Sequence, residues 1–144
     1  MKRAVIFFVF LAAIFFQNQN LIYAWDIAGR YELYDPEYKY TVTVDVNRNY
    51  EIHMETARPG GLCTFDGLIK NKKKVAKQLS ASPSSIDVVV WNKEKNKEFS
   101  DDFIFQFTPT SVVVMQGPSE GSPTNYCGIS GHLPGPESVM KKVK

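Results

Sequence analysis

The chain has 144 residues, with 17 Lys and Arg against 15 Asp and Glu and a formal net charge of +2. Two of the basic residues, Lys2 and Arg3, lie in a predicted leader, so the rest of the chain holds 17 − 2 = 15 basic and 15 acidic residues. Affinity for phosphates grows with the number of Lys and Arg contacts, so this neutral balance argues against a general nucleic-acid-binding protein. The run from Lys70 to Lys74 is a local exception that either binds an anionic partner or is simply solvated.

The first 24 residues have the plan of a signal peptide. Lys2 and Arg3 precede an apolar run from Ala4 to Phe16, which is shorter than the roughly 20 residues of a membrane-spanning helix. We expect cleavage after Ala24, so that residues 25–144 form a single domain that is secreted or periplasmic and is not stably inserted in a membrane. An uncleaved membrane anchor is the alternative interpretation of the same segment.

The clearest local pattern predicts a β-hairpin. Apolar and polar residues alternate from Tyr38 to Asn47, and the alternation resumes at Tyr50 with Ile52 and Met54 on the inward face. A period of two is typical of a strand with one buried side, and the polar residues 47–49 supply the turn.

Further strands follow in chain order. Alternating or continuous apolar residues predict strands at Ile86 to Val90, at Phe103 to Phe107 and at Val112 to Met115, with a turn at residues 108–110. Weaker candidates are Ala28 to Tyr34, Cys63 to Ile69, Lys74 to Ser80 and Tyr126 to Leu133. Residues 70–79 could instead form a short helix, and we expect the tail from Lys141 to Lys144 to be frayed. The pattern predicts an all-β fold, a small antiparallel β-barrel or sandwich of about eight strands.

The two cysteines of the chain, Cys63 and Cys127, are a natural pair in an exported protein. Their distant spacing is unlike that of a metal site, which favours close Cys pairs with nearby histidines. We therefore predict one disulfide, which closes a loop of about 65 residues and stabilises the domain by roughly 4 kcal/mol.

Catalytic machinery is sparse in this sequence, which predicts no enzymatic activity, no cofactor and no metal. The chain has two histidines, and it lacks a GxSxG elbow and a phosphate-binding glycine loop. One set of residues could bind a divalent metal: Glu51, His53 and Glu55 share one face of a predicted strand, although a fourth ligand is not visible. The competing interpretation is three solvated side chains on the outside of the hairpin.

Two features suggest binding rather than catalysis. The segments Ser80 to Ser85 and Gly117 to Asn125 are rich in Ser, Pro and Gly, so we expect surface loops that either contact a partner or only connect strands. Aromatic residues could instead line the cavity of a lipocalin-like carrier of an apolar ligand, or fill a solid core. These residues are Trp25, Tyr31, Tyr34, Tyr38, Tyr40, Phe65, Trp91, Phe103, Phe105 and Phe107.

Two short motifs resemble small exported bacterial β-barrel proteins of the lysozyme-inhibitor type. They are Cys63 to Gly67, which reads CTFDG, and Tyr126 to Gly128, which reads YCG. The resemblance implies a periplasmic protein that inserts a loop with small hydroxyl residues into the cleft of a protein partner, a cell-wall hydrolase such as lysozyme. The matching partner-binding residues here would be Ser80, Ser82, Pro83, Ser84 and Ser85. The strongest loop signature of that family has no clear counterpart in this chain, which leaves the target enzyme open.

Overall fold

The described residues form a closed antiparallel β-barrel. The computed structural model describes residues 24–93, 103–116 and 137–144. Within them, each of eight strands pairs with the next along the chain, and the last strand pairs with the first. The strands are β1 (Gly29–Asp35), β2 (Tyr40–Val46), β3 (Glu51–Arg58), β4 (Gly61–Ile69), β5 (Ile86–Asn92), β6 (Phe103–Phe107), β7 (Ser111–Gln116) and β8 (Met140–Lys142). The prediction of a small antiparallel β-barrel or sandwich of about eight strands is confirmed in its barrel form, with one short helix added, and closure gives every strand two neighbours.

The up-and-down order of the strands gives the barrel two distinct ends. One end, called the helix end, carries the β2–β3 turn, the β6–β7 turn and the short helix α1 (Lys72–Ser80) between β4 and β5. The opposite end carries the β1–β2 and β3–β4 turns. The chain also leaves β7 and returns to β8 at this opposite end.

The predicted β2–β3 hairpin is confirmed. Val44 in β2 lies opposite Met54 in β3, and both side chains are buried. In the turn, the Oδ1 atom of Asn47 accepts hydrogen bonds from the backbone N–H groups of Asn49 at 2.9 Å and Glu51 at 3.0 Å. The Asn side chain thus replaces a backbone partner in the turn, which explains why the alternation stops and resumes here.

Aromatic rings pack in the interior of the barrel. The rings of Phe65 and Phe103 lie with their centroids 4.5 Å apart, and Phe105 stacks at 6.3 Å from both Phe65 and Phe107. Tyr31 meets Phe107 edge to face at 5.6 Å. All five side chains are fully or almost fully buried. These contacts lie within the preferred range for aromatic pairs, so the rings form a packed core.

The packing of these rings leaves no room for a side chain at Gly67. A Cβ atom on Gly67 in β4 would lie 2.7 Å from the Phe65 ring and closer still to a methyl group of Val90. Real side chains do not approach so closely, and overpacking of this kind costs typically 1–3 kcal/mol. Gly67 therefore interrupts the strand pattern because Phe65 and Val90 occupy the space of a side chain.

Two sequence predictions about secondary structure were wrong. Residues 74–80 were a candidate strand, with a helix as the alternative, and they lie in α1, where Val75 and Leu79 are buried one turn apart. The tail from Lys141 was expected to fray. It instead forms β8 with Met140 fully buried, and β8 pairs with β1 and β7. Barrel closure requires a last strand, and three residues are too few to show alternation in the sequence.

Several predictions lie outside the described residues. These are the leader up to residue 23, the candidate strand Tyr126 to Leu133, the loop Gly117 to Asn125, and Cys127. Cys63 is buried in β4, but its predicted disulfide with Cys127 is not shown and stays a prediction. Across the described ranges, no helix has the length and apolar character needed to cross a bilayer.

The buried phenol of Tyr31 predicts sensitivity to alkaline pH. Its hydroxyl donates a 2.8 Å hydrogen bond to the carbonyl of Ile27, and burial raises the pKa of this phenol well above its ordinary value of about 10. Below about pH 10 the phenol is protonated in both the folded and the unfolded chain. Above about pH 10 the unfolded phenol loses its proton while the buried phenol keeps it, so the free energy of unfolding falls as the pH rises. Burial also raises the pKa of Tyr40 and Tyr50.

We expect Tyr31→Phe to lower the free energy of unfolding by about 1 kcal/mol at pH 8, because the hydrogen bond to Ile27 is lost. Above pH 10 the variant should lose stability less steeply than the wild type, because one buried phenol no longer ionises on unfolding. Urea unfolding between pH 8 and pH 11.5 measures both effects. Equal slopes for the two proteins would contradict the assignment.

Candidate functional site

The serine-rich loop predicted as a partner-binding segment lies at the helix end of the barrel. Ser80 is the last residue of α1, and its Oγ atom donates a 2.7 Å hydrogen bond to the carbonyl of Lys77. The backbone N–H of Ser82 donates to the carbonyl of Leu79 at 2.9 Å, and Ser82 has a positive φ of 47°. The first half of the loop is therefore tied to the end of the helix.

The second half of the loop is held by Trp25, which precedes β1 in the chain. The indole N–H of Trp25 donates a 2.7 Å hydrogen bond to the carbonyl of Pro83, and Trp25 packs against the core. Ile86, which follows the loop, is buried at the start of β5. Between these two anchors, the side chains of Ser84 and Ser85 are exposed. Two hydroxyl groups that donate and accept hydrogen bonds are thus presented from a fixed backbone.

Lysines surround this loop on the helix side. Lys73, Lys74 and Lys77 in α1 are exposed, and the first turn of the helix holds no acidic residue. The Nζ atom of Lys72 donates to the carbonyl of Asn49 in the β2–β3 turn. The local charge of α1 is therefore positive, although residues 25–144 as a whole hold 15 basic and 15 acidic residues.

The candidate metal set does not come together. Glu51, His53 and Glu55 lie on the outer face of β3 as predicted, but the first two have partners outside this strand. Lys93 binds Glu51 at 2.9 Å, and Nδ1 of His53 lies 2.8 Å from Oδ1 of Asp66. The hydrogen bond from Lys93 lowers the pKa of Glu51, and Asn47 adds to this effect. Among the residues that the structure describes, no group of His, Cys, Asp or Glu could hold a metal ion.

The ten aromatic residues that could line a cavity divide into three groups. Tyr31, Phe65 and the three phenylalanines of β6 lie inside the barrel and contact one another. Tyr34, Tyr38 and Trp91 are outside, with 64%, 69% and 50% of their surface exposed. Trp25 and Tyr40 are partly buried at the edge of the core. The five aromatic residues inside the barrel therefore form a packed core.

One surface feature at the opposite end was not predicted from the sequence. Two adjoining depressions of about 260 and 330 Å³ share Tyr38 and Arg58 in their walls. Asp35 and Tyr40 complete the first, and the turn residues Pro59 and Gly60 complete the second. The sequence Pro59-Gly60 indicates a turn, but it does not indicate a depression, because Tyr38 comes to lie beside this turn only when the barrel forms.

The motif residues of the lysozyme-inhibitor resemblance are placed in part. Cys63, Phe65 and Gly67 face inward from β4, where Phe65 and Gly67 shape the core. Tyr126, Cys127 and Gly128 lie outside the described residues. The resemblance therefore stays a prediction. No family model, no curated protein and no solved structure matches this chain.

Proposed function

We propose that the chain is an exported, non-enzymatic binding protein that contacts a protein partner through the loop at residues 80–85. The observation that carries this proposal is the double anchoring of the loop, through Leu79 on one side and Trp25 on the other, with Ser84 and Ser85 exposed between them. A loop that is already ordered loses less entropy on binding than a flexible one. The resemblance makes a cell-wall hydrolase such as lysozyme the first partner to test.

The ring contacts in the interior support action through the surface rather than through a bound apolar ligand. A lipocalin-like carrier needs an open cavity among its aromatic residues. Here Phe65, Phe103 and Phe105 lie against one another in the space that such a ligand would take.

The disulfide between Cys63 and Cys127 is part of the proposal. Cys63 is the third residue of β4, near the opposite end of the barrel. The chain between Gln116 and Met140 starts and finishes at that same end, and Cys127 is 11 residues from the former and 13 from the latter. Since an extended chain spans up to about 3.5 Å per residue, Cys127 has ample reach to Cys63.

The direct test is inhibition of wall lysis by the purified mature protein. We expect near-stoichiometric inhibition of at least one enzyme in a panel of hydrolases. The panel should include neutral and acidic enzymes, because the lysines beside the loop would repel a basic lysozyme. The double variant Ser84→Gln, Ser85→Gln should require at least about ten times more protein, since the larger side chains disturb a close contact.

The matched control is Thr64→Gln, Thr110→Gln, which makes the same kind of change at exposed positions of β4 and the β6–β7 turn. It should inhibit like the wild type. Absence of inhibition across all hydrolases would remove the hydrolase from the proposal. Full inhibition by the Ser84→Gln, Ser85→Gln variant would show that the loop at residues 80–85 does not contact the partner.

A further inference from the structure

A cluster of lysines covers one side of the helix end, and its arrangement weakens the helix that carries it. We call Lys70, Lys72, Lys73, Lys74 and Lys77 the basic cluster. Residues 67–86 contain these five lysines and no acidic residue. Three of them fill the first turn of α1, where the helix dipole favours negative charge. The charges of the first turn are therefore the reverse of what the helix dipole favours, although Asn71 caps the helix and Lys77 suits its last turn.

The outward face of α1 repeats this unfavourable pattern. Val75 and Leu79 point into the barrel, so Lys73 and Lys77 lie on the opposite side of the helix, one turn apart. Like charges at this spacing repel each other. Neither lysine, nor Lys74, forms an ion pair within the part of the chain that the structure describes. Departures of this kind from local stability rules are expected at functional sites.

An apolar surface adjoins the basic cluster. The Nζ atom of Lys70 lies 4.4 Å from the centre of the Trp91 ring, and the backbone N–H of Lys70 bonds to the carbonyl of Val89 at 2.8 Å. Val89 lies opposite Ile104 on β6, so the apolar surface extends from β5 to β6. We call the outward-facing apolar side chains of β5 to β7 the apolar wall: Val89, Trp91, Ile104, Val113 and Met115.

The opposite side of the barrel has a different character. Near the helix end of β1 to β4, the outward residues Arg30, Asp45, His53 and Asp66 form a charged row in which Arg30 pairs with Asp45 and His53 pairs with Asp66. On the apolar wall, Asp87 is the acidic side chain that the described residues provide, and it accepts a hydrogen bond from Gln106. Trp91 and Met115 leave 50% and 44% of their surface in solvent. Within the described residues, the side formed by α1 and β5 to β7 thus joins three lysines without an ion pair, Lys73, Lys74 and Lys77, to exposed apolar groups.

We propose that the basic cluster and the apolar wall together bind the surface of an anionic lipid bilayer. Lysines are attracted to the headgroup charge, and Trp is suited to the boundary between headgroups and acyl chains. A nucleic acid would use the lysines but would leave Val89, Ile104 and Met115 without a role. This inference goes beyond the proposed function, because it assigns a lipid surface, rather than a protein partner, to the basic cluster and the apolar wall, rather than to the loop at residues 80–85.

The test is co-sedimentation of the mature protein with vesicles at low salt. Vesicles that contain phosphatidylglycerol should bind it, vesicles of phosphatidylcholine alone should bind it at least about tenfold more weakly, and added salt should release it. Lys73→Glu should weaken binding to the anionic vesicles about 25-fold, since each unit of charge contributes about fivefold. The variant keeps or raises the melting temperature, because an acidic residue suits the first turn of a helix.

Two matched controls accompany this variant. Lys39→Glu makes the same charge change at an exposed position of the β1–β2 turn and should leave binding within about twofold of the wild type. Trp91→Ala should weaken binding about tenfold, whereas Tyr34→Ala, an exposed aromatic residue on β1, should not. Equal binding to neutral vesicles, equal losses for Lys39→Glu and Lys73→Glu, or absence of binding to anionic vesicles would overturn the proposal. So would tighter binding to single-stranded oligothymidylate than to the vesicles.

Discussion

Replacing Phe105 by alanine should lower the free energy of unfolding by about 3–5 kcal/mol, a large part of the roughly 5–15 kcal/mol available to a small domain. Phe105 is fully buried at the centre of β6, and its ring stacks at 6.3 Å on both Phe65 and Phe107. Removing the ring leaves a cavity that the closed sheet cannot collapse to fill.

Urea unfolding followed by circular dichroism measures this loss. The matched control is Tyr34→Ala on the outer face of β1, where 64% of the side chain is already in solvent, and it should change stability by less than about 1 kcal/mol. Equal losses for the two variants would mean that the rings of β6 do not form the packed core.

Reduction of the mature protein should produce the second large effect, a loss of about 4 kcal/mol in the free energy of unfolding. This estimate follows from a disulfide that closes a loop of about 65 residues between Cys63 and Cys127 in the unfolded chain. Unfolding with and without dithiothreitol measures it directly.

Single and double substitutions separate the crosslink from packing. Cys127→Ala alone should lose about as much stability as reduction does, and adding Cys63→Ala should cost only the small further amount for its buried volume. A protein whose stability is unchanged by dithiothreitol, or strictly additive losses from the two substitutions, would contradict the pairing.

Much of the barrel could be predicted because most strands have one buried face. The alternation through Val42, Val44, Ile52 and Met54 follows the register that the structure shows. The helix α1 was harder to predict because it buries only Val75 and Leu79, and lysines occupy most of its other positions. β8 was missed because its role depends on neighbours that are distant in sequence, β1 and β7.

The sequence indicated which residues form the candidate site, but it did not indicate the contacts that hold them in place. The serines and the proline of residues 80–85 indicated a surface loop, yet the anchor between Trp25 and Pro83 joins residues 58 positions apart. The same limit applies to the basic cluster. Its lysines are evident in the sequence, but the contact of Lys70 with Trp91 arises only when β4 and β5 pair.

A crosslinked solid barrel that acts through its surface can be tested by native mass spectrometry of the protein exported by a bacterial host. We expect a chain that begins at Trp25, is lighter by the two hydrogens lost in a disulfide, and carries no small apolar molecule. A mass that retains two free thiols, or a stoichiometric apolar ligand that survives purification, would contradict it.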